Sequence, residues 1–225
     1  MMHPTQSDTP ELAWLVATSL GDQPRAEVED SLRELRALAD TARAEVAGET
    51  LCRLRSLHPA TYIGRGKALQ IAADIQAAGA QLVIFDDDLS PAQGRSLEEL
   101  LGVRVVDRTQ LILDIFAQRA QTLEGRLQIE LAQLHYLIPR LRGLWTHLER
   151  QKGGIGLKGP GEKQLELDRR RIEQRIGRIR DQLQTVRQRR AELRRGRRRH
   201  GWALLTLVGY TNAGKSTLLN RLTNA

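Results

Sequence analysis

Residues 209–216 read GYTNAGKS and satisfy the phosphate-loop pattern G-x-x-x-x-G-K-[ST] at every fixed position. An apolar run of strand length, WALLTLV at 202–208, precedes the loop, and KSTLLNRLT from Lys215 reads as the start of a helix. The order strand, loop, helix commits this part of the chain to a parallel α/β sheet and to an anionic ligand. Backbone N–H groups of Gly209, Tyr210, Thr211, Asn212, Ala213 and Gly214 would face a β-phosphate near the helix N-terminus, where glycines remove obstructing side chains. Lys215 would reach the β- and γ-phosphates, and the Ser216 hydroxyl would ligate magnesium. A chance glycine-rich turn would not bring the strand, the helix and the Lys-Ser pair with it.

The sequence ends at Ala225, nine residues after Ser216, with no acidic residue for the metal, no water-positioning switch and no base-reading loop in that span. Nucleotide hydrolysis is therefore not expected of this chain alone. One strand and one helix cannot cover both faces of a sheet, so residues 202–225 read as the first unit of a domain that continues.

Of the 225 residues, 40% are apolar, enough for one or two domains with a buried core. The net charge of +8 suggests a polyanionic partner, and its distribution is uneven. Residues 169–199 hold 14 arginines against Glu173, Asp181 and Glu192, a local +11, which leaves −3 for the rest of the chain. Cys52 is the single cysteine; it sits in an apolar run, reads as a core residue and excludes a disulfide framework. MMHPTQSDTP carries no basic stretch of the kind that opens a secretory signal, and no apolar run reaches the length of a membrane span. The expected state is a cytoplasmic monomer without a membrane span.

From Leu12 to Arg119 short apolar runs alternate with helical stretches. AWLVAT at 13–18 is followed by a helix over about 28–44, ETLCRLRS at 49–56 by a helix over about 67–78, QLVIF at 81–85 by a helix after Ser90, and VRVVD at 103–107 by a helix after Thr109. Four such units predict a small parallel α/β sheet. Ser90-Pro91-Ala92-Gln93 offers an N-cap, a proline at the first helical position and a capping-box glutamine. Two places carry candidate chemistry. The turn Gly64-Arg65-Gly66-Lys67 opens a helix where backbone N–H groups and Lys67 could accept a phosphate or an RNA backbone, but it lacks the full P-loop spacing, and a plain glycine turn with a solvated lysine explains it more readily. Asp86-Asp87-Asp88 ends a strand; helix-entry electrostatics explain such a run more readily than a metal site.

Six leucines, one isoleucine and a tryptophan at 123, 127, 131, 134, 138, 141, 145 and 148 form a helical seam, and a second runs through 165, 172, 176, 179, 183, 186 and 193, interrupted by Arg169 and Arg190. Two such helices predict an antiparallel hairpin, with Pro139 kinking the first. Its tip contains Lys152, Gly153, Gly154, Gly156, Lys158, Gly159, Gly161 and Lys163, more residues and glycines than a plain connection needs. The tip therefore reads as a binding loop that presents N–H groups and lysines to an irregular surface. The arginines after it, beginning with Arg169, Arg170 and Arg171, outnumber the acids available for pairing and point to RNA; no bulky aromatic face is present to enter a bilayer.

The stretch GGIGLKGPGEKQLELDRR closely resembles the loop-and-helix motif of HflX-type ribosome-associated GTPases, and DRTQLILDIFAQRAQTLEGRLQIELAQLHYLIPRL resembles the run before it in that family. The turn at 64–67, FDDDLSPAQ and GYTNAGKST match as well, so the resemblance covers about 12–225. It implies an N-terminal α/β domain over 1–120, a helical hairpin linker with a glycine-rich tip over 121–200, and the first strand, P-loop and helix of a P-loop GTPase domain over 201–225. It further implies binding of GTP or GDP with magnesium, and of the large ribosomal subunit through its rRNA, in splitting or rescuing stalled ribosomes under stress. ATP use by the N-terminal domain is also implied. By position, Asn212, Ala213, Gly214, Lys215, Ser216 and Thr217 would surround the guanine nucleotide's phosphates, with Ser216 on magnesium. Lys163 stands where the family commonly has threonine, which puts a hydroxyl role there in doubt. Two rival readings are an RNA-binding module without a working nucleotide switch and an ATP-using enzyme centred on Lys67.

Overall fold

The strand Glu11–Leu20 (β1) buries residues on both of its faces, so helices must cover it from two sides. In the computed structural model, residues 10–21, 23–144, 160–199, 205–210 and 213–223 are described, and they fall into two units, Met1–Leu183 and Gln184–Ala225. In the first unit, β1 is followed by α1 (Arg25–Thr41), β2 (Ala44–Leu54), α2 (Arg65–Ala78), β3 (Leu82–Phe85), α3 (Pro91–Leu101), β4 (Arg104–Asp107) and α4 (Arg108–Arg119). The sheet order is β2-β1-β3-β4 with every pairing parallel. The chain thus runs outward from β1 to β2, then crosses back to build β3 and β4 on the other side.

The period-two alternation of the strands sorts the core into two layers. Ala13, Leu15 and Ala17 join Leu82, Ile84 and Val106 under Val28, Leu32 and Leu35 of α1 and Leu111 and Ile115 of α4. Val16, Val83, Phe85 and Val105 face the other way, with Cys52, beneath Ile71 and Ile75 of α2 and Leu97 and Leu101 of α3. Cys52 is buried and unbonded, as a core residue should be. The α/β architecture expected from the sequence is therefore present as a doubly covered parallel sheet.

Local signals set the element ends. Ser90 accepts from Gln93 N while Gln93 Oε1 accepts from Ser90 N, so the expected capping box forms. The helix expected after Thr109 begins instead at Arg108, because Asp107 is its cap and accepts from Gln110 N at 2.9 Å. β2 begins at Ala44, well before the expected 49, because it pairs with β1 from Glu11 onward. As an edge strand it is only partly buried there, and AEVAG lacks the continuous apolar run that marks a covered strand. The β1–β2 register shifts between Ala13 and Trp14, where the Trp14 indole lies across Gly48 and its Nε1 donates to Thr50 Oγ1 at 2.9 Å.

The hairpin pairs α5 (Leu123–Leu144), which contains Pro139 within its span, with the first part of α6 (Pro160–Arg199). Leu127 packs with Ile179 and Leu183, flanked by Leu131 and Leu134. Further along α5, Glu130 takes a two-pronged hydrogen bond from Arg175 at 2.6 and 2.7 Å. Advancing on α5 means retreating on α6, so the two helices run antiparallel. The tip residues Lys152, Gly153, Gly154, Lys158 and Gly159 lie outside the described residues, whereas Gly161 belongs to the first turn of α6.

In the second unit, α7 (Lys215–Thr223) forms as expected. Of the strand expected at 202–208 only 205–208 are among the described residues, and these are not in a strand, with Leu205 93% and Val208 89% exposed. A strand exists only by pairing, and no described strand lies beside this run.

Replacing Gly48 by alanine would place a Cβ only 2.2 Å from Trp14 Cζ3. The indole is held by its bond to Thr50, so the clash should cost about 2 kcal/mol, read as a lower urea midpoint at unchanged slope.

Candidate functional site

The described residues of the loop before α7 turn directly into the helix start. Gly214 stands at φ +76, a left-handed backbone that glycine adopts without strain, and its carbonyl accepts the first helical bond from Leu218 N at 2.9 Å. Lys215 opens the helix and folds back, donating from Nζ to the carbonyls of Gly209 at 2.8 Å and Tyr210 at 2.5 Å. Its ammonium is thereby held over the loop, on the side from which a helix N-terminus attracts anions. Ala213 N donates to Tyr210 O at 3.3 Å, closing the turn. Ser216 and Thr217 are exposed in the first helical turn. Thr211 and Asn212 lie outside the described residues.

A second polar assembly occupies the carboxyl ends of β1 and β3, where the direction of strand progression reverses and parallel sheets place their crevices. Asp86, Asp87 and Asp88 do not converge there. Asp86 accepts from Ser31 and from Arg108 Nη1, Asp87 from Thr18 Oγ1 at 2.6 Å, and Asp88 from Thr109 Oγ1 at 2.6 Å. Arg108 also reaches Glu34 at 2.6 Å, tying α1, β3 and α4 together. The N-cap of α3 is Ser90, as expected, and each aspartate is engaged by a neighbouring element. Among the described residues no group of acids, histidines or cysteines could hold a metal ion.

Burial raises the Asp87 carboxyl above its ordinary 3.8, and Asp86 and Asp88 push the same way against the Thr18 and Tyr62 hydroxyls. The Tyr62 phenol is pushed up to about 12, by burial first and then by Asp87. Tyr62 itself sits at φ 59 in a closed turn, bonded both ways to the His58 backbone at 2.8 and 2.9 Å. His58 Nδ1 accepts from Thr61 N at 3.2 Å, which leaves the neutral ring's proton on Nε2. This turn delivers the chain to Gly64, whose φ of 82 starts α2 without a side-chain cap. Gly66 follows in the first turn of α2, and Lys67 donates to Gln70 Oε1 at 3.2 Å.

Beside it, Asp107 is 2% exposed and serves three donors: Gln110 N, Leu89 N and Arg140 Nη2, the last at 2.7 Å. Arg140 donates as well to Leu89 O at 2.9 Å and stacks on Tyr136, 3.3 Å from the ring centre. Burial and the nearby Asp107 both drive the Tyr136 phenol upward. Sequence reasoning missed Asp107, Arg140 and Tyr136. Asp107-Arg108-Thr109-Gln110 repeats the capping-box spacing and would have revealed the cap, though not the arginine.

On α6, Arg169 pairs with Glu173 at 2.8 Å, Arg170 with Glu166 at 3.0 Å and Arg171 with Asp168 at 3.3 Å.

Three family models match in succession: GTP-binding GTPase N-terminal over residues 29–117, GTP-binding GTPase Middle Region over 119–197, and 50S ribosome-binding GTPase over 205–225. The GTPase HflX of Escherichia coli is 53% identical over 196 residues, covering 87% of this chain and 46% of that protein. The chain belongs to the HflX-type GTPase family. The GTPase HflX of Alkalihalophilus pseudofirmus is 51% identical over 199 residues, covering 88% of this chain and 47% of its own length. The chain thus spans about half the length of these HflX relatives. The crystal structure of a GTP-binding protein from Sulfolobus solfataricus in complex with GDP shares the fold, with a TM-score of 0.55 at 24% identity over 95% of this chain and 53% of that one.

Two outcomes test this edge of the sheet. Because the folded Asp87 holds its proton to higher pH than the unfolded chain does, its contribution to stability is full below about 3.8 and falls as pH rises through the folded value. Asp87→Asn, which keeps an acceptor for Thr18, should raise the melting temperature at pH 7, and the gain should vanish as pH falls toward 3.8. Arg140→Ala leaves the Asp107 charge buried without its cation and should cost about 3 kcal/mol in urea denaturation.

Proposed function

We propose that this chain is the recognition half and the start of the nucleotide switch of a GTP-binding factor, which associates with the large ribosomal subunit and helps to split or rescue stalled ribosomes. The observation that carries this reading is Lys215 folded back over Gly209 and Tyr210 at the start of α7, in a chain of HflX type. The backbone from Gly209 to Gly214 would receive the β-phosphate of GTP or GDP, Lys215 would neutralise the β- and γ-phosphates, and Ser216 and Thr217 would complete the shell. The exposed Ser216 hydroxyl suits a hard cation, and magnesium, when bound, would offset phosphate charge.

The hairpin, read as a short coiled coil, would carry the rRNA contacts through Lys152, Gly153, Gly154, Lys158, Gly159, Gly161 and the arginines of α6. The uncapped start of α2 at Gly64, Gly66 and Lys67 would take a further phosphate, from RNA or from the ATP that the family resemblance implies. The protein would act as a cytoplasmic monomer. A second reading, an RNA-binding module without a nucleotide switch, rests on the exposed arginines of α6.

Lys215→Ala decides between them when made in the protein extended to the length of its relatives. Loss of GTP and GDP affinity by about 100-fold, some 2.8 kcal/mol, with ribosome pelleting retained in the apo state, is the result expected of the switch reading. Nucleotide affinity that is absent from both proteins, or equal in both, leaves the module.

A further inference from the structure

The arginines of α6 differ in their surroundings along its length. Up to Leu183 the helix lies against α5, and of the six arginines there Arg169, Arg170, Arg171 and Arg175 have a carboxylate partner, whereas Arg178 and Arg180 are exposed. From 184 to 199 the helix continues without a break for about 24 Å, and this stretch holds eight arginines against one acid, Glu192. Arg187, Arg189, Arg194, Arg195 and Arg199 are exposed and make no ion pair among the described residues. Leu193, which continues the apolar stripe of Ile179 and Leu183, is 66% exposed. Among the described residues, Leu193 is thus left largely uncovered and these five arginines are without an ion pair.

Like charges at this density oppose helix formation, and a bound polyanion removes the opposition. The arrangement of the charges identifies the kind of polyanion. At about 100° per residue, Arg187 and Arg189 stand on opposite flanks of the apolar stripe, while Arg195 and Arg199 stand on the back of the helix. A flat anionic surface such as a bilayer could reach only one of these sides. Two phosphate strands could reach all of them.

We infer that residues 184–199, with Arg187, Arg189, Arg194 and Arg195 as contacts, form an RNA phosphate clamp distinct from the ion-paired arginines at 169–171. The inference rests on the ribosome-associated reading and locates its electrostatic contact. Arg175 bridges to Glu130 of α5 and the pairs at 169–171 lie within α6, whereas the four arginines of the clamp are left for RNA.

The test uses this chain, a fluorescent RNA duplex of about 20 base pairs, and a salt series from about 50 to 200 mM. Replacing Arg187, Arg189, Arg194 and Arg195 together by glutamine should lower the slope of log affinity against log salt by about three to four, since each lost phosphate contact removes about one. Lysines at the same four positions should restore the slope, which a merely structural role would not explain. Glutamines at Arg169, Arg170 and Arg171 should change the slope by less than one. An unchanged slope in the first variant, an equal loss in the last, or equal binding to phosphatidylserine vesicles would overturn the clamp. Pelleting with large ribosomal subunits separates this from the parent reading. A chain that binds duplex through these arginines but never pellets refutes the ribosome, whereas undiminished pelleting and duplex binding by the glutamine variant refute the clamp.

Discussion

The Asp107 carboxylate takes hydrogen bonds from three separate parts of the chain: the start of α4, the loop that leads into α3, and Arg140 on α5. A carboxylate so deeply buried is tolerated only when its lone pairs are filled and its charge is met, so each donor becomes a condition on where its segment can lie. The sheet, the α3 entry and the hairpin's first helix are fixed against one another by that requirement. Hydrophobic burial makes the two layers of the sheet cohere; this one charge decides where the hairpin attaches.

The same edge shows how a run of like residues is divided among tasks. Asp86, Asp87 and Asp88 are adjacent in sequence, yet one closes a bridge to α1 and α4, one sits half-buried against Thr18 and Tyr62, and one reaches α4. Successive residues leaving a strand diverge in direction, so a contiguous acidic run is poorly suited to gathering round one ion. The arginines of α6 show the helical counterpart. Arg169, Arg170 and Arg171 are held by acids three or four residues away on the same helix and Arg175 by Glu130 across the hairpin, whereas Arg187 and Arg194 are left to solvent or to another molecule.

The sequence made the type of nearly every element legible, because apolar periodicity and the Ser90 box are local signals. The phosphate loop was legible for the same reason: Lys215 reaches its two carbonyls within six residues. What it concealed depends on distant partners. Nothing near Asp107 announces that Arg140 will arrive, and nothing near Gly48 announces Trp14. The start of β2 was hidden because an edge strand needs no continuous apolar run. At 205–208 the signal was present and the structure absent, since apolar composition gives a strand its potential and only a neighbour realises it.

The position of β1 has a bearing on how the chain is made. It is the first strand in sequence and an inner one in the sheet, flanked by β2 and β3, and its far neighbour begins only at Leu82. During vectorial synthesis at roughly 5–20 residues per second, Leu15, Val16 and Ala17 must wait several seconds for the segment that completes their cover. Parallel pairing over such separations cannot form from a local hairpin, so the edge of β1 that takes β3 stays unpaired through that interval even once β2 is available. Early exposure of this strand, rather than weakness in the finished fold, is where the chain is most open to misassembly or to capture by a chaperone.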